Sequence, residues 1–391
     1  MKKRVLALLM ATVMTLTCAG CGNTQTDTET PPADTAQSEA SSNIQETPDE
    51  APAEAPEESS TGEQMSIEIA ATAGGLQGFP IYIAQKNGWF EEENLNVNVT
   101  FYENGPVQVE AISTWDLATT GIGGILAGVI GYDAKIIASS NTDNGTQTIY
   151  VRPDSAIAAA GQGNNSLNEA IYGDADSWKG SKVLCSAGTV LQYMLIKVLD
   201  GFGLTIDDVE FVGMDTPTTN SAFLAGEGDV AVLTGVVSFD ADKADYVLAA
   251  NGATSDAGLD GVVIANQSSA ETKHDEIVAF LKAYLKAVEW IDAHKEEEEV
   301  VNDLVAFYEE SGKTTSAEAA KIILNSETYY SLEDNYDMLH NVKDGDTYVT
   351  IEQRIVDVLE FFISAGNYQE GDDERFVGHV DSSFVDEICG K

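Results

Sequence analysis

The sequence predicts an α/β protein of two lobes with a ligand cleft between them. Three observations carry that prediction. A strand, a glycine-rich loop, a helix and a second strand follow one another between Ile67 and Val99. A strand that opens into a Thr-Gly loop occurs twice, at 116–121 and 229–235. The 327 residues from Met65 to Lys391 exceed what a single core usually supports, so two lobes are expected.

Residues 1–21 read as a targeting segment. Lys2, Lys3 and Arg4 precede an apolar run, Val5 to Leu16, that is too short to anchor in a bilayer. Ala19 and Gly20 stand directly before Cys21, which resembles the lipobox of bacterial lipoproteins. That resemblance makes Cys21 the lipidated residue and tethers the protein to the extracytoplasmic face of the membrane. Cys18 departs from it, standing where Leu is usual. A plain secretory signal is the alternative. Residues 22–64 hold 11 acidic residues and no basic ones. Such a stretch cannot bury enough apolar surface to offset its ordering entropy, so a disordered acidic linker is expected.

In the first lobe, Ile67, Ile69 and Ala71 alternate with polar neighbours as a strand does. Gly74 to Gly78 then form a small-residue loop. Pro80 suits the first turn of a helix, which Asn87-Gly88 ends with residues that tolerate a left-handed backbone. Leu95, Val97 and Val99 mark the next strand. Open α/β sheets place ligands at loops of this kind, at the carboxyl ends of strands. In the second lobe, Val183 to Cys185 read as a buried strand. Ser186, Ala187, Gly188 and Thr189 lead into a helix that Gly201 and Gly203 end. A helix start entered this way offers free N–H groups to a polar or anionic ligand. Routine capping by Thr189 accounts for the same residues.

The expected division is 65–150 plus 255–391 for the first lobe and 151–254 for the second. The crossings are expected near Tyr150–Arg152 and Gly261–Ile264. Residues 153–178 read as a surface insertion. Beyond about residue 274 the chain reads as mainly helical, with an apolar stripe at Val278, Leu281, Leu285, Val288 and Ile291. A later one at Ile351, Ile355, Val358, Leu359, Phe362 and Ile363 should pack on the first lobe.

The chain has a formal net charge of -45, and residues 65–391 hold 54 acidic against 17 basic side chains. That excludes nucleic acid as a partner and opposes adsorption to anionic lipid. Only Arg152, Arg354 and Arg375 occur there, so a guanidinium clamp on an anion is expected only if Arg152 reaches the cleft. No nucleophile elbow, zinc-protease motif, phosphate loop or paired-cysteine motif is present. The four histidines, at 274, 294, 340 and 379, show no metal spacing. Neither a catalytic residue, a metal nor a cofactor is expected.

These residues resemble the substrate-binding lipoproteins of ABC importers, in the nitrate, sulfonate, taurine and thiamine-pyrimidine-precursor group. The run from Gly78 to Phe90 carries the resemblance, with Trp115 to Ala118, Thr120-Gly121, Trp178 to Val183, Gly188-Thr189 and Ala225 to Ala231. It covers roughly residues 66–300. It implies a type II periplasmic-binding-protein fold, α/β, with two lobes that close on ligand about a hinge. It implies a cleft lined by Gly75, Gln77, Thr119, Thr120 and Gly121 from one lobe. Ser186, Gly188 and Thr189 would line it from the other, with Asp215 and Thr234 beside them. The implied partners are a small polar or anionic solute and the ABC permease subunits, for a protein expected to be monomeric. An enzyme of pyrimidine-precursor synthesis on the same fold, or a ligand-sensing lipoprotein without transport, are the rivals.

Overall fold

The computed structural model describes residues 64–239 and 245–391. Cys21, the targeting segment and nearly all of the acidic linker lie outside the described residues. Two mixed sheets form the frame. The first has six strands in the order β11-β4-β10-β3-β1-β2. These are β1 (Met65–Thr72), β2 (Leu95–Tyr102), β3 (Leu117–Thr120), β4 (Lys135–Asp143), β10 (Leu259–Ala265) and β11 (Glu327–Tyr329). The second has five strands in the order β7-β6-β8-β5-β9. These are β5 (Thr148–Val151), β6 (Lys182–Cys185), β7 (Glu210–Gly213), β8 (Val230–Leu233) and β9 (Val247–Asn251).

The glycine-rich segment folds as its residues dictate. Gly74 takes a left-handed φ of 71°, and Pro80 sits in the first turn of helix Phe79–Lys86. Gly88, at φ 70°, turns the chain into the short helix Trp89–Glu92. Phe90 then stacks on Phe280 with ring centroids 5.5 Å apart, which fixes this edge of the lobe against helix His274–His294.

The repeated Asp-aliphatic-Ala strand has a structural cause. Asp116 accepts from the Glu68 N–H at 2.9 Å, and its own N–H donates to the Glu68 carbonyl. Asp229 does the same with Lys182, its carboxylate accepting from the Lys182 N–H at 2.8 Å. In each lobe an aspartate therefore ties the start of one strand, β3 or β8, to its parallel neighbour, β1 or β6. The carboxylate fills the place of the next rung of the ladder.

The chain crosses between the sheets twice, at 144–147 and 252–258. The two connections are bonded to each other, Gly252 N–H to the Gln147 carbonyl and Ala253 N–H to that of Asn144. Tyr150 and Val151, expected at a crossing, thus lie within the second sheet, and Gly261 to Ile264 within the first, so each crossing falls a few residues before its expected place. The 153–178 segment is no loose insertion. Ile157, Ile171 and Trp178 are fully buried in the second lobe's core. Helix Thr350–Ser364 also departs from expectation. Ile351, Ile355 and Leu359 enter the first lobe's core, while Val358 enters the second's and Phe361 packs against it. Its apolar stripe is wide enough to serve two cores.

Candidate functional site

A cavity of about 520 Å³ opens where the first sheet meets the crossings, a volume suited to a small molecule. Thr72, Thr120 and Asp143 bring the carboxyl ends of β1, β3 and β4 to it, and Leu259 and Glu327 bring the starts of the antiparallel β10 and β11. The sheet edge predicted to hold ligand is the edge that holds the cavity.

Its first wall is the glycine-rich loop. Tyr284 donates to the Gln77 carbonyl at 2.6 Å, and the Gly74 N–H donates to Ser311 Oγ at 3.1 Å, so the loop is held from behind. The Gln77 amide folds over Gly75, where a Cβ would meet its Nε2 at 2.7 Å. The second wall joins two helix starts. Asn104 caps helix Gly105–Glu110 through the Val107 N–H. Gly121 gives no side-chain cap to helix Ile122–Tyr132, so that helix presents its leading N–H groups uncapped. A Cβ on Gly105 would meet the Gly124 nitrogen at 2.5 Å, and one on Gly124 would meet Thr120 Oγ1. Glycine at both positions is what lets these segments touch. The Thr120 hydroxyl is fully buried and has no hydrogen-bond partner.

The floor is acidic. Asp143 and Glu327 are direct partners in the β4–β11 ladder. Glu327 accepts from Asn141 Nδ2 at 2.7 Å, and Asp143 accepts from the Thr146 N–H at 2.8 Å and from the Thr146 hydroxyl. Burial pushes the Glu327 carboxyl well above the ordinary carboxylate range, and the Asp143 charge adds to that push. Burial raises Asp143 as well, against the bonds from Thr146 and Gly145. Tyr308, beside them, is pushed up to about 12 by burial and by the same two carboxylates. Asp260 is paired with Arg354 at 3.1 Å. Among the described residues lining the cavity there is no lysine or arginine. Lys313 runs beside Gly74, but its Nζ is held 2.8 Å from Glu103.

Of the residues expected from sequence, Gly75, Gln77, Thr120 and Gly121 line this cavity. Thr119 points into the protein, fully buried, behind it. Ser186, Gly188 and Thr189 do not line it. Thr189 Oγ1 donates to the Ser186 carbonyl and accepts from the Leu191 N–H, while the Gly188 N–H is taken by Gln192 Oε1 at 2.7 Å. The second lobe's helix start is satisfied from within, which is the capping alternative. Asp215 is likewise a cap, accepting from the Thr218 N–H at 2.8 Å at the exposed start of helix Thr216–Leu224. Thr234 lies one residue short of Gly235, which does reach the cavity. Arg152 does not enter the cleft. Its guanidinium stacks 4.5 Å over Phe223 and donates to the Phe223, Glu227 and Gly228 carbonyls. Sequence reasoning missed Asn104, Asn141, Asp143, Asp260 and Glu327. Only Asn104 had a local signal, an Asn-Gly-Pro helix start.

Among the described residues no group of three or more His, Cys, Asp or Glu could hold a metal ion. Cys185 and Cys389 are free thiols, and burial pushes Cys185 up to about 12.

Two mixed α/β sheets, joined by two adjacent connections with a polar cavity at their strand ends, define a periplasmic-binding-protein fold. The chain belongs to the NMT1/THI5-like family, which matches residues 77–162 and 165–298. An ABC transporter periplasmic binding protein of Brachyspira hyodysenteriae is 24% identical over 291 residues, 74% of this chain and 82% of its own. An aliphatic sulfonates-binding protein of Bacillus subtilis is 28% identical over 226 residues, 56% of this chain and 64% of its own. Among solved structures, the periplasmic sulfonate-binding protein SsuA of Methylobacillus flagellatus superposes with a TM-score of 0.63 at 15% identity, covering 84% of this chain and 95% of that one. The desulfurization enzyme DszB shares the fold, with a TM-score of 0.55 at 12% identity over 83% and 99%.

Proposed function

We propose that the chain is the extracytoplasmic solute-binding receptor of an ABC importer. It captures a small polar molecule in the cavity beside Gly74–Gly78 and delivers it to membrane permease subunits. The observation that carries this reading is the cavity's place, at the carboxyl ends of β1, β3 and β4 and beside both connections. A solute held there touches the first lobe and the hinge, so closing the lobes over it completes the shell. Cys21, outside the described residues, would carry the lipid that keeps the receptor at the membrane. No described helix is long and apolar enough to cross a membrane. An anionic solute, such as the sulfonates named for the Bacillus relative, would depend on N–H groups and amides such as those of Ile122 and Gln77, since no lining side chain is cationic. The shared fold with DszB raises an enzymatic reading. Against it, none of the four histidines lines the cavity, and the Cys185 thiol is held protonated by burial.

A thermal-shift panel tests the reading with sulfonates, nitrate, carboxylates, amines, nucleobases and pyrimidines. One class should raise the melting temperature in proportion to RT ln(1 + [L]/Kd). A panel without any shift, joined to turnover of any member, would replace the receptor reading with the enzymatic one.

A further inference from the structure

The two connections are not the only link between the lobes. Helix Thr350–Ser364 lies beside them, across a crevice of about 80 Å³. Asn144, Gly252 and Ala253 of the connections line that crevice, with Arg354 and Val358 of the helix.

The first turns of this helix are fixed in the first lobe. Ile351, Ile355 and Leu359 lie in its core. Arg354 Nη1 donates to Asp260, on the cavity floor, at 3.1 Å and to the Tyr330 hydroxyl at 2.8 Å. Its Nη2 donates to Thr142 Oγ1 at 3.1 Å. One guanidinium therefore grips β4, β10 and the residue after β11.

The far end of the helix meets the second lobe. Val358 lies in the second core, and Phe361 packs on Tyr193 with ring centroids 5.4 Å apart. Phe361 stands about 10 Å along the helix from Arg354. The turn that follows brings Asn367 to the second lobe's helix start, where a Cβ on Gly188 would meet its Nδ2 at 3.3 Å. Ile122, on the cavity wall, and Phe362 each pack against both cores.

We infer that this helix and the turn after it form a strut that limits how far the lobes part. Two short connections by themselves let a lobe rotate about them. Contacts on the connections hardly move in such a rotation, and contacts displaced from them move in proportion to their distance. Parting the lobes pulls Phe361 off Tyr193 and Asn367 off Gly188, and it exposes apolar surface of Phe361, Phe362 and Ile122 to water. The strut keeps the aperture narrow, and solute enters by a small excursion. Its fixed end stands on the cavity floor through Asp260. The inference rests on the receptor reading above only in taking the lobes as the parts that move.

A spin-label distance measurement tests it. The labels go on Val107→Cys and Thr218→Cys, exposed positions in the helices that follow β2 and β7. The full chain carries them, with Cys18, Cys21 and Cys389 replaced by serine and the buried Cys185 kept. With the strut intact the pair should give one narrow distance. Phe361→Ala should lengthen it by more than about 2 Å, the scale of a domain rearrangement. Phe361→Leu keeps the space filled but removes the aromatic contact, and it carries the comparison should Phe361→Ala not fold. A broad or two-peaked distribution with the strut intact overturns the inference. An unchanged distance in whichever variant folds also overturns it, even where that variant melts earlier, because the ring then only fills the core. Either result leaves the receptor reading standing, since lobes that part freely are what two connections allow. That reading falls only with the solute panel.

Discussion

Glu327 shows how a single buried residue can set the pH response of the fold. Its carboxyl is raised by burial first and by the Asp143 charge second. Facing it are Asp143 and Asn141 on β4, Tyr308 on helix Glu298–Glu310, and the Tyr329 phenol two residues on. An acid raised in the folded state binds a proton there that the unfolded chain has already lost. The folded form is then favoured as pH falls from neutral toward the ordinary carboxylate range, about 4.3 for Glu. Unliganded protein should accordingly gain stability between about pH 8 and pH 5. In Glu327→Gln much of that gain should vanish, and at pH 8 the variant should be more stable than the natural protein by about 1 kcal/mol or more, because an unpaired buried charge is gone. Urea titrations at the two pH values read both effects. A variant that is less stable at pH 8, with the slope unchanged, would show that Glu327 is ionised without cost.

Among the elements, the strands that an aspartate directly precedes were the most legible part of the sequence. The repeated Asp-aliphatic-Ala pattern marks β3 and β8, and its physical content is a carboxylate that closes the strand's ladder. Depth separates the two copies. Asp116 is buried, and although burial alone would raise its carboxyl, bonds from Lys273, Glu68 and Ser269 hold it below the usual range. Asp229 makes its bond at the surface. Asp116→Ala should therefore cost about 2–3 kcal/mol in chemical denaturation and Asp229→Ala about 1 kcal/mol. Equal costs would argue that the shared backbone rung, and not the depth of the carboxylate, sets the energy. The glycine-rich loop was legible for a related reason, since Gly74, Pro80 and Gly88 each impose a backbone state that few residues allow. The helix start at Ser186–Thr189 was ambiguous on the same grounds. A cap and an anion site use the same residue types, and only the Gln192 side chain, folded onto the Gly188 N–H, separates them.

Across the whole molecule, the floor of the cavity was not legible at all. Asn141, Asp143, Asp260 and Glu327 are brought together by strand pairing across 186 residues between Asn141 and Glu327. β11 is only three residues long and sits in a stretch whose pattern is helical. No local period announces a strand there, and one glutamate among 65 acidic residues carries no mark. The connections behave similarly. Their place is fixed by contacts such as the Ala253 N–H on the Asn144 carbonyl, which depend on both crossings being formed. The two-lobed plan, by contrast, followed from length and from the repeat. Helix Thr350–Ser364 adds a feature that neither predicted, a C-terminal element seated in both cores.

In the proposed receptor, solute occupies the cavity bounded by Gly74–Gly78 and Gly121–Gly124. Gly121 permits a direct test. Its φ of -98° is ordinary, and a Cβ there would meet nothing within 4 Å, so a large side chain can grow into the cavity without straining the fold. Native mass spectrometry of protein purified from growing cells should find one small molecule bound per chain in the natural protein and none in Gly121→Phe, with the two melting within a few degrees of each other when empty. Retention of the same molecule by Gly121→Phe at the same occupancy would contradict the account and place the solute elsewhere.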